Sequence, residues 1–256
     1  MRPMRLPPGI PSGVSLRGAI ARRLSLLRGQ PPAEAHRPSL RLLLGELTYP
    51  FKLAMRPFRK PMTIALADTP RTVILLPGFA TAPSRMRYMA RQLERAGHTV
   101  KRWGVGYNFG PTPEMFEQLA CRVREVSERY GEPVVLVGWS LGGAFAREVA
   151  KRHPDCVAKV VTMGTPFSHT PYSNNVWRAY QMVTGHSVER PPVASDLAVK
   201  PPVETVALWS PRDGVVSPRA ARGLPGERDR ERALRCTHMG FVDAPEVIAE
   251  ILQELA

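Results

Sequence analysis

Short apolar runs alternate with longer helical patterns along the chain after Pro70. The apolar runs, rich in valine, leucine and isoleucine, predict strands at residues 73–76, 99–103, 134–137, 159–163, 205–209 and 233–236. Periods of three and four residues predict helices at 85–96, 113–130, 141–153 and 244–255. Strands that alternate with helices build a mainly parallel sheet, because each crossover returns the chain over one face. The pattern predicts one α/β domain over residues 70–256, with helices on both faces of its sheet.

One connection between predicted strands is too long for a simple crossover. Residues 166–202 join the fourth and fifth strands and are rich in Pro, Ser, Asn and Val. Loops of this length in a compact domain are usually functional. Ligands of open α/β sheets bind at the carboxyl ends of the strands. We therefore expect residues 166–202 to form a small cap over the substrate, the alternative being a surface excursion.

The N-terminal quarter has a different pattern. Residues 1–38 repeat Pro, Gly and Arg, a composition that predicts a flexible arm with little fixed structure. In the helical segment predicted over residues 39–69, Leu and Phe recur at positions 40, 43, 44, 47 and 51. This stripe predicts a helix packed on the core. Because Lys52, Arg56, Arg59 and Lys60 lie beside it, peripheral membrane contact through residues 40–60 is a second interpretation.

Charge and composition narrow the class of protein. The 256 residues have a formal net charge of +14, and residues 1–60 hold twelve basic residues against Glu34 and Glu46, which gives +10 there and +4 elsewhere. The chain has no zinc-finger, ribonucleoprotein or recognition-helix signature, so we do not expect it to bind nucleic acid. The three cysteines, Cys121, Cys156 and Cys236, form no Cys-x-x-Cys pair, which argues against a disulfide framework or a zinc site. We expect no metal or organic cofactor.

Two sequence features bear on the compartment. No apolar run approaches the roughly 20 residues of a membrane span. Arg22 and Arg23 interrupt the apolar stretch near residues 20–27, so it lacks the uninterrupted core of a signal peptide. We expect a cytoplasmic protein that can also lie at a membrane surface, although an Arg-rich, acid-poor start is also compatible with an organelle transit peptide.

The candidate nucleophile is Ser140, in the stretch Gly138-Trp139-Ser140-Leu141-Gly142. This Gly-x-Ser-x-Gly pattern follows a buried strand and begins a helix, the context in which a serine is presented on a sharp turn. Glycines are required there because side chains would collide with the strand and helix. The N–H of Leu141 at the helix start can donate to a developing oxyanion. A second donor is expected in the turn Pro77-Gly78-Phe79-Ala80, at the N–H of Phe79.

A serine hydroxyl needs a general base and a carboxylate that orients the base. Of the six histidines, only His238 follows a predicted strand and precedes the last helix, which places it at the same sheet edge as Ser140. Asp213 lies in the stretch Trp209 to Val216 that follows the fifth predicted strand and is the expected orienting acid. Asp196 and Asp243 are the reserve candidates.

The chain order Ser140, Asp213, His238 resembles that of the α/β-hydrolase superfamily, and its lipase and esterase branch looks most similar. Leu76 to Phe79, Gly164-Thr165-Pro166 and Thr237 to Gly240 extend the resemblance from about Thr72 to the C-terminus. Pro77 departs from it, since many lipases have His there, and the cap is shorter than in large lipases.

The resemblance implies a two-step acyl transfer on Ser140 with His238 as general base. The expected partner is a small-molecule acyl ester, which we expect Gly78, Trp139 and Met239 to contact. An acyltransferase or thioesterase that uses the same residues is an alternative, and so is a non-catalytic binding protein of the same fold.

Overall fold

A computed structural model describes residues 16–256 of the chain. The α-helices are α1 (Leu16–Leu27), α2 (Leu40–Glu46), α3 (Tyr49–Ala54), α4 (Arg87–Arg95), α5 (Pro113–Tyr130), α6 (Leu141–Arg152), α7 (Trp177–Thr184), α8 (Pro218–Arg222) and α9 (Pro245–Leu255). The strands are β1 (Thr72–Leu76), β2 (Thr99–Arg102), β3 (Val134–Trp139), β4 (Val157–Met163), β5 (Glu204–Trp209) and β6 (Arg230–Ala233). Short 3-10 helices lie at Arg56–Phe58, Pro83–Met86, Pro154–Cys156 and Met239–Val242.

The six strands form one parallel sheet in the order β2-β1-β3-β4-β5-β6. The fully buried strand β1 alternates its side chains between the two faces. Val73 and Leu75 join a core with α4 and α9, whereas Ile74 and Leu76 join a core with α5 and α6. The predicted fold class, a parallel sheet between two helical layers, is confirmed.

The last strand differs from its prediction. The apolar positions predicted residues 233–236, but β6 spans Arg230–Ala233 and only its end overlaps that range. This edge strand is not buried: it pairs with β5 through the backbone, and its side chains form ion pairs, Arg230 with Glu204 and Glu254, and Arg232 with Glu250. A prediction based on apolar residues therefore places the strand too late.

The expectation of little fixed structure over residues 1–38 is wrong for Leu16–Leu27, which form α1. Residues 1–15 lie outside the described part of the chain. Helix α1 packs on α7, where Gln181 donates to the carbonyl of Leu26 at 2.7 Å and Arg178 to that of Leu27 at 3.3 Å. A segment without a strong apolar period of its own is thus ordered by tertiary contacts.

The segment of α2 and α3 also packs differently from its first interpretation. The apolar stripe does not face the core, because Leu40, Leu44, Leu47 and Phe51 are exposed and only Leu43 is partly buried. The inward side chains are polar: Glu46 is 8% and Tyr49 6% exposed. Glu46 accepts three backbone hydrogen bonds and Tyr49 donates to Asp243, so hydrogen bonds and not the apolar stripe hold this segment in place.

The predicted cap contains α7 and returns along α6. Arg147 of α6, which is fully buried, anchors this return by donating to the carbonyls of Leu197 and Glu227, both at 2.9 Å. Its guanidinium also stacks on the ring of Phe167 at 4.2 Å. Burial lowers the pKa of Arg147 to about 10, which still leaves the side chain charged at neutral pH. A planar cation with several donors suits this position because it satisfies several carbonyls at once.

Candidate functional site

Ser140 lies on a strained turn between β3 and α6. Its backbone has φ 53° and ψ −123°, a conformation that a residue with a side chain rarely adopts. Neighbouring hydrogen bonds hold it there, since Ser140 N donates to Met163 O at 2.8 Å and Thr165 Oγ1 donates to Ser140 O at 2.8 Å. The turn projects the serine from the end of a buried strand, as the sequence predicted.

Three glycines make this turn possible because neighbouring atoms lie too close to them to leave room for a side chain. A Cβ on Gly138 would lie 2.4 Å from Gly143 Cα, and one on Gly142 would lie 2.3 Å from the carbonyl oxygen of Leu76. A Cβ on Gly143 would lie 2.0 Å from Thr165 Oγ1. These distances are shorter than any van der Waals contact, so larger residues would displace α6 from the sheet.

Asp213 and His238 form a buried hydrogen-bonded pair. The Nδ1 atom of His238 lies 2.8 Å from Oδ2 of Asp213, and the two residues are 4% and 1% exposed. The other carboxylate oxygen of Asp213 accepts from the N–H groups of Val215 and Val216, both at 2.8 Å. The carboxylate is therefore fixed from both sides and orients the imidazole ring.

The two reserve candidates for the orienting acid, Asp243 and Asp196, form hydrogen bonds with residues other than His238. Asp243 accepts from the hydroxyl of Tyr49 at 3.0 Å, and it does not cap α9, whose N-cap residue is Ala244. Asp196 accepts from the N–H of Ala198 within the cap.

The loop that carries His238 is fastened to its neighbours. Trp139 Nε1 donates to the carbonyl of His238 at 3.1 Å, and the two rings lie 5.6 Å apart. The hydroxyl of Ser210 donates to the carbonyl of Cys236 at 2.6 Å, which ties the loop to the end of β5. The backbone around His238 is thus held by the residue beside the nucleophile and by the strand that leads to Asp213.

The electrostatic surroundings favour a protonated His238. Burial by itself would lower the pKa of His238, because it removes water from the imidazolium. The charge and hydrogen bond of Asp213, with a smaller contribution from Glu46, outweigh burial and raise the pKa. His238 therefore becomes a stronger base than an imidazole in water, which suits proton removal from a hydroxyl.

Ser140 lies at the same edge of the sheet as the Asp213–His238 pair but is not hydrogen-bonded to it. Within residues 16–256, no hydrogen bond joins the Ser140 hydroxyl to His238, and such contacts are often long in ligand-free sites. A Cβ on Gly164, at the end of β4, would lie 2.9 Å from Oδ2 of Asp213 and 3.1 Å from Nδ1 of His238. The N–H of Gly164 donates to Leu208 O at 2.9 Å, which extends the backbone pairing of β4 with β5 by one residue. The pair therefore lies at the carboxyl ends of the strands, where Ser140 also lies.

The turn after β1 lies against the nucleophile. A Cβ on Gly78 would lie 3.3 Å from the Cβ of Ser140. Among the hydrogen bonds of the described residues, the N–H groups of Phe79 and Leu141 have no acceptor. Both groups are thus available as donors beside Ser140.

Asn108 is a supporting residue that sequence reasoning missed. Its buried side-chain amide donates to the carbonyl of Pro77 at 2.7 Å, and the backbone carbonyl of Asn108 accepts from Ala80 N at 2.6 Å. These bonds fix the turn that contains Phe79. No motif marks Asn108, because its partners lie about thirty residues earlier in the chain.

A largely apolar cavity of about 150 Å³ opens at Ser140. Phe79 and Leu141 line it beside the serine, and residues 166–202 supply more than half of its lining residues. Trp177 and Tyr180 of α7 are part of this wall. The segment predicted as a cap therefore covers the candidate site.

The three residues predicted to contact the substrate are not part of the cavity wall. Gly78, Trp139 and Met239 do not line the cavity at Ser140. Trp139 is buried and packs in the core, and Met239 packs against the same core. Gly78 lies against the nucleophile, since a Cβ there would be 3.3 Å from the Cβ of Ser140. Contact of these three residues with the substrate stays a prediction.

The parallel sheet, the strained serine turn after β3 and the Asp–His pair at the strand ends are together the features of the α/β-hydrolase fold. The family model described as alpha/beta hydrolase fold matches residues 71–182. The chain therefore has the α/β-hydrolase fold, and the family model matches the part of it that runs from β1 into α7. No curated protein sequence matches it significantly.

Solved structures share the fold at low identity. A monoacylglycerol lipase from Paleococcus ferrophilus is 18% identical with a TM-score of 0.54, over 75% of this chain and 96% of that one. Lipase B from Aspergillus fumigatus is 18% identical with a TM-score of 0.52, over 77% of this chain and 55% of that one. The type II thioesterase BorB from the borrelidin biosynthetic cluster is 16% identical with a TM-score of 0.51, over 76% and 95%. These likenesses show the fold.

No helix within residues 16–256 combines the length and apolar character that crossing a bilayer requires.

Proposed function

We propose that the protein is a serine hydrolase that cleaves carboxylic esters through an acyl-enzyme on Ser140. The observation that carries this proposal is the buried hydrogen bond between His238 and Asp213 at the sheet edge where the strained Ser140 lies. A serine on a strained turn beside an oriented imidazole is the arrangement that nucleophilic acyl transfer requires.

In the proposed mechanism, Ser140 Oγ attacks the ester carbonyl carbon while His238 Nε2 takes the hydroxyl proton. The N–H groups of Phe79 and Leu141 stabilise the oxyanion, and the dipole of α6 adds to this field. The imidazolium then protonates the leaving alcohol, and the C–O bond of the ester breaks. Water, deprotonated by His238, hydrolyses the acyl-enzyme and regenerates the Ser140 hydroxyl.

The cavity favours acyl groups of modest size. Apolar walls from the cap and α6 suit a hydrocarbon chain rather than a charged group. A cavity of about 150 Å³ accommodates a group of about the size of benzene. We therefore propose short and medium acyl chains as substrates.

A series of p-nitrophenyl esters of increasing chain length tests this proposal. We expect kcat/KM to rise with each added methylene while the chain fills the cavity and then to fall, with a gain of up to about fourfold per methylene. Matching thioesters and an added acceptor alcohol belong in the same experiment. Transfer products in excess of free acid, or a clear preference for thioesters, would contradict ester hydrolysis, and failure with every acyl substrate would favour a binding protein.

A further inference from the structure

Glu46 is a buried carboxylate on α2, outside the region matched by the family model. Its Oε1 atom accepts from the N–H of His238 at 2.7 Å and from that of Gly214 at 3.0 Å. Its Oε2 atom accepts from the N–H of Met239 at 3.0 Å. Within the described residues no basic side chain forms a salt bridge with it. One carboxylate thus holds two loops only through backbone donors.

These two loops carry the acid and the base of the proposed site. Gly214 follows Asp213 directly, and Met239 follows His238. The fit between α2 and the first loop is tight, because a Cβ on Gly214 would lie 2.3 Å from the carbonyl oxygen of Leu42. Any shift of α2 would therefore move the loop that holds Asp213.

We propose that Glu46 is a positioning residue, which holds the loop of His238 against the loop of Asp213 and places a second negative charge near the imidazole. This inference rests on the proposed function, because it assigns a role in the same reaction. Glu46 touches no substrate and acts only through the backbone of the two loops.

The charge of Glu46 contributes to the raised pKa of His238, after burial and Asp213. Removing it should lower that pKa, so the acidic limb of the kcat/KM profile should move to lower pH. Cys236 does not compete at neutral pH, because burial raises the pKa of its thiol. Further charged or titratable groups near the His238 loop are Arg85, which donates to Met239 O at 3.4 Å, the hydrogen-bonded pair Tyr49 and Asp243, and Glu246, whose charge acts on Cys236.

Two variants separate charge from hydrogen bonding. Glu46→Gln keeps an oxygen for Gly214 and His238 but removes the charge, and we expect the acidic limb to move down by about half a pH unit. Glu46→Ala removes all three bonds, and we expect kcat to fall about 10- to 100-fold with little change in KM, because the imidazole is misplaced. NMR titration of the His238 ring in the full chain measures its pKa independently of activity.

Glu132→Gln is the matched control, because Glu132 accepts from the backbone N–H and hydroxyl of Thr72 at the amino ends of β1 and β3, opposite the strand ends where Ser140 lies. It should move neither the pH profile nor the His238 titration. If Glu46→Gln leaves both unchanged, or if Glu132→Gln shifts them equally, Glu46 is not a positioning residue. A wild-type protein inactive on every ester would instead contradict the proposed function, while the NMR titration would still test Glu46.

A second, independent inference concerns the outward side of the same segment. Leu40, Leu44, Leu47 and Phe51, spaced at three and four residues, are 64–73% exposed, and we call these four residues the apolar face. Phe58, in the 3-10 helix that follows α3, is 80% exposed. Single exposed apolar residues are common, but this concentration within nineteen residues is typical of an interaction surface.

The charges around the apolar face favour one type of partner. Residues 37–60 contain six basic side chains, and their one acidic side chain, Glu46, is buried and bonded to the catalytic loops. An apolar surface with only positive charge beside it is complementary to a bilayer with anionic headgroups. The basic residues are Arg37, Arg41, Lys52, Arg56, Arg59 and Lys60.

We infer that the apolar face binds the surface of an anionic lipid bilayer. The test is sedimentation of the full chain with phosphatidylcholine vesicles, with and without phosphatidylglycerol. We expect binding to need the anionic lipid and to weaken as salt rises, because screening reduces the contribution of the basic residues. Leu47→Glu should weaken binding about 10-fold or more, since a charge replaces an inserted apolar side chain.

Leu66→Glu is the matched control, because Leu66 is 77% exposed but lies outside the apolar face. It should bind like the wild type, and both variants should keep the thermal stability of the wild type. Equal binding by the two variants, or binding that does not depend on phosphatidylglycerol, would overturn the inference. A dimer in sedimentation equilibrium that Leu47→Glu dissociates would show that a second copy of the chain covers the face instead.

Discussion

Ser140→Ala should lower kcat/KM for an ester substrate by about 10³-fold or more while the fold stays intact. The hydroxyl oxygen is the atom that forms the acyl bond in the proposed mechanism, so no other group of the site replaces it. Alanine has the same backbone restrictions as serine at φ 53°, so its melting temperature should stay close to that of the wild type. Steady-state kinetics and thermal unfolding of the same preparation check both expectations.

Two further variants make the result specific. Ser140→Gly should be equally inactive yet more stable, because glycine relieves backbone strain worth about 1–3 kcal/mol. Ser127→Ala, in α5, should keep full activity, because its hydroxyl donates to Glu132 O far from the cavity. A fluorophosphonate should modify the wild type at Ser140 and leave Ser140→Ala unlabelled. Retained activity or labelling in Ser140→Ala would refute the assignment of the nucleophile.

The elements that the sequence predicted best are those whose residues follow a local rule. Strand β3 is a continuous buried apolar run, and the glycines around Ser140 are needed by a turn whose backbone is itself strained. Both signals lie within about ten residues of the chain, so periodicity and turn chemistry suffice to identify them. Ser140, Asp213 and His238 occur in this order because they follow β3, β5 and β6, which occur in that order along the chain.

What the sequence could not predict depends on contacts between distant segments. Glu46 is 192 positions from His238 and lies within an apolar stripe, so its spacing predicts nothing about its hydrogen bonds. The stripe itself indicated a buried helix, yet the fold turns it outward, because the bonds of Glu46 and Tyr49 fix the opposite side. An apolar period predicts a one-sided helix but does not tell which partner covers the apolar side.

Asp213→Asn should lower kcat about 10⁴-fold without unfolding the protein. Asparagine is similar in size to aspartate, and its amide oxygen can still accept from the N–H groups of Val215 and Val216. Its NH₂ group would then face His238 Nδ1, where a carboxylate oxygen lies at 2.8 Å in the wild type. The ring would accept at Nδ1 and carry its proton on Nε2, the nitrogen that must receive the Ser140 proton.

Asp243→Asn is the control for this prediction, because Asp243 is equally buried and its oxygen can still accept from Tyr49 as an amide. We expect it to keep kcat within about threefold of the wild type, since Asp243 forms no hydrogen bond with Ser140, Asp213 or His238 in the described residues. Single-turnover kinetics should show that Asp213→Asn slows the acylation step, where the proton moves. If Asp243→Asn lost the greater part of the activity and Asp213→Asn kept it, the orienting acid would have to be reassigned to Asp243, and the role of the buried Asp213–His238 bond would be structural.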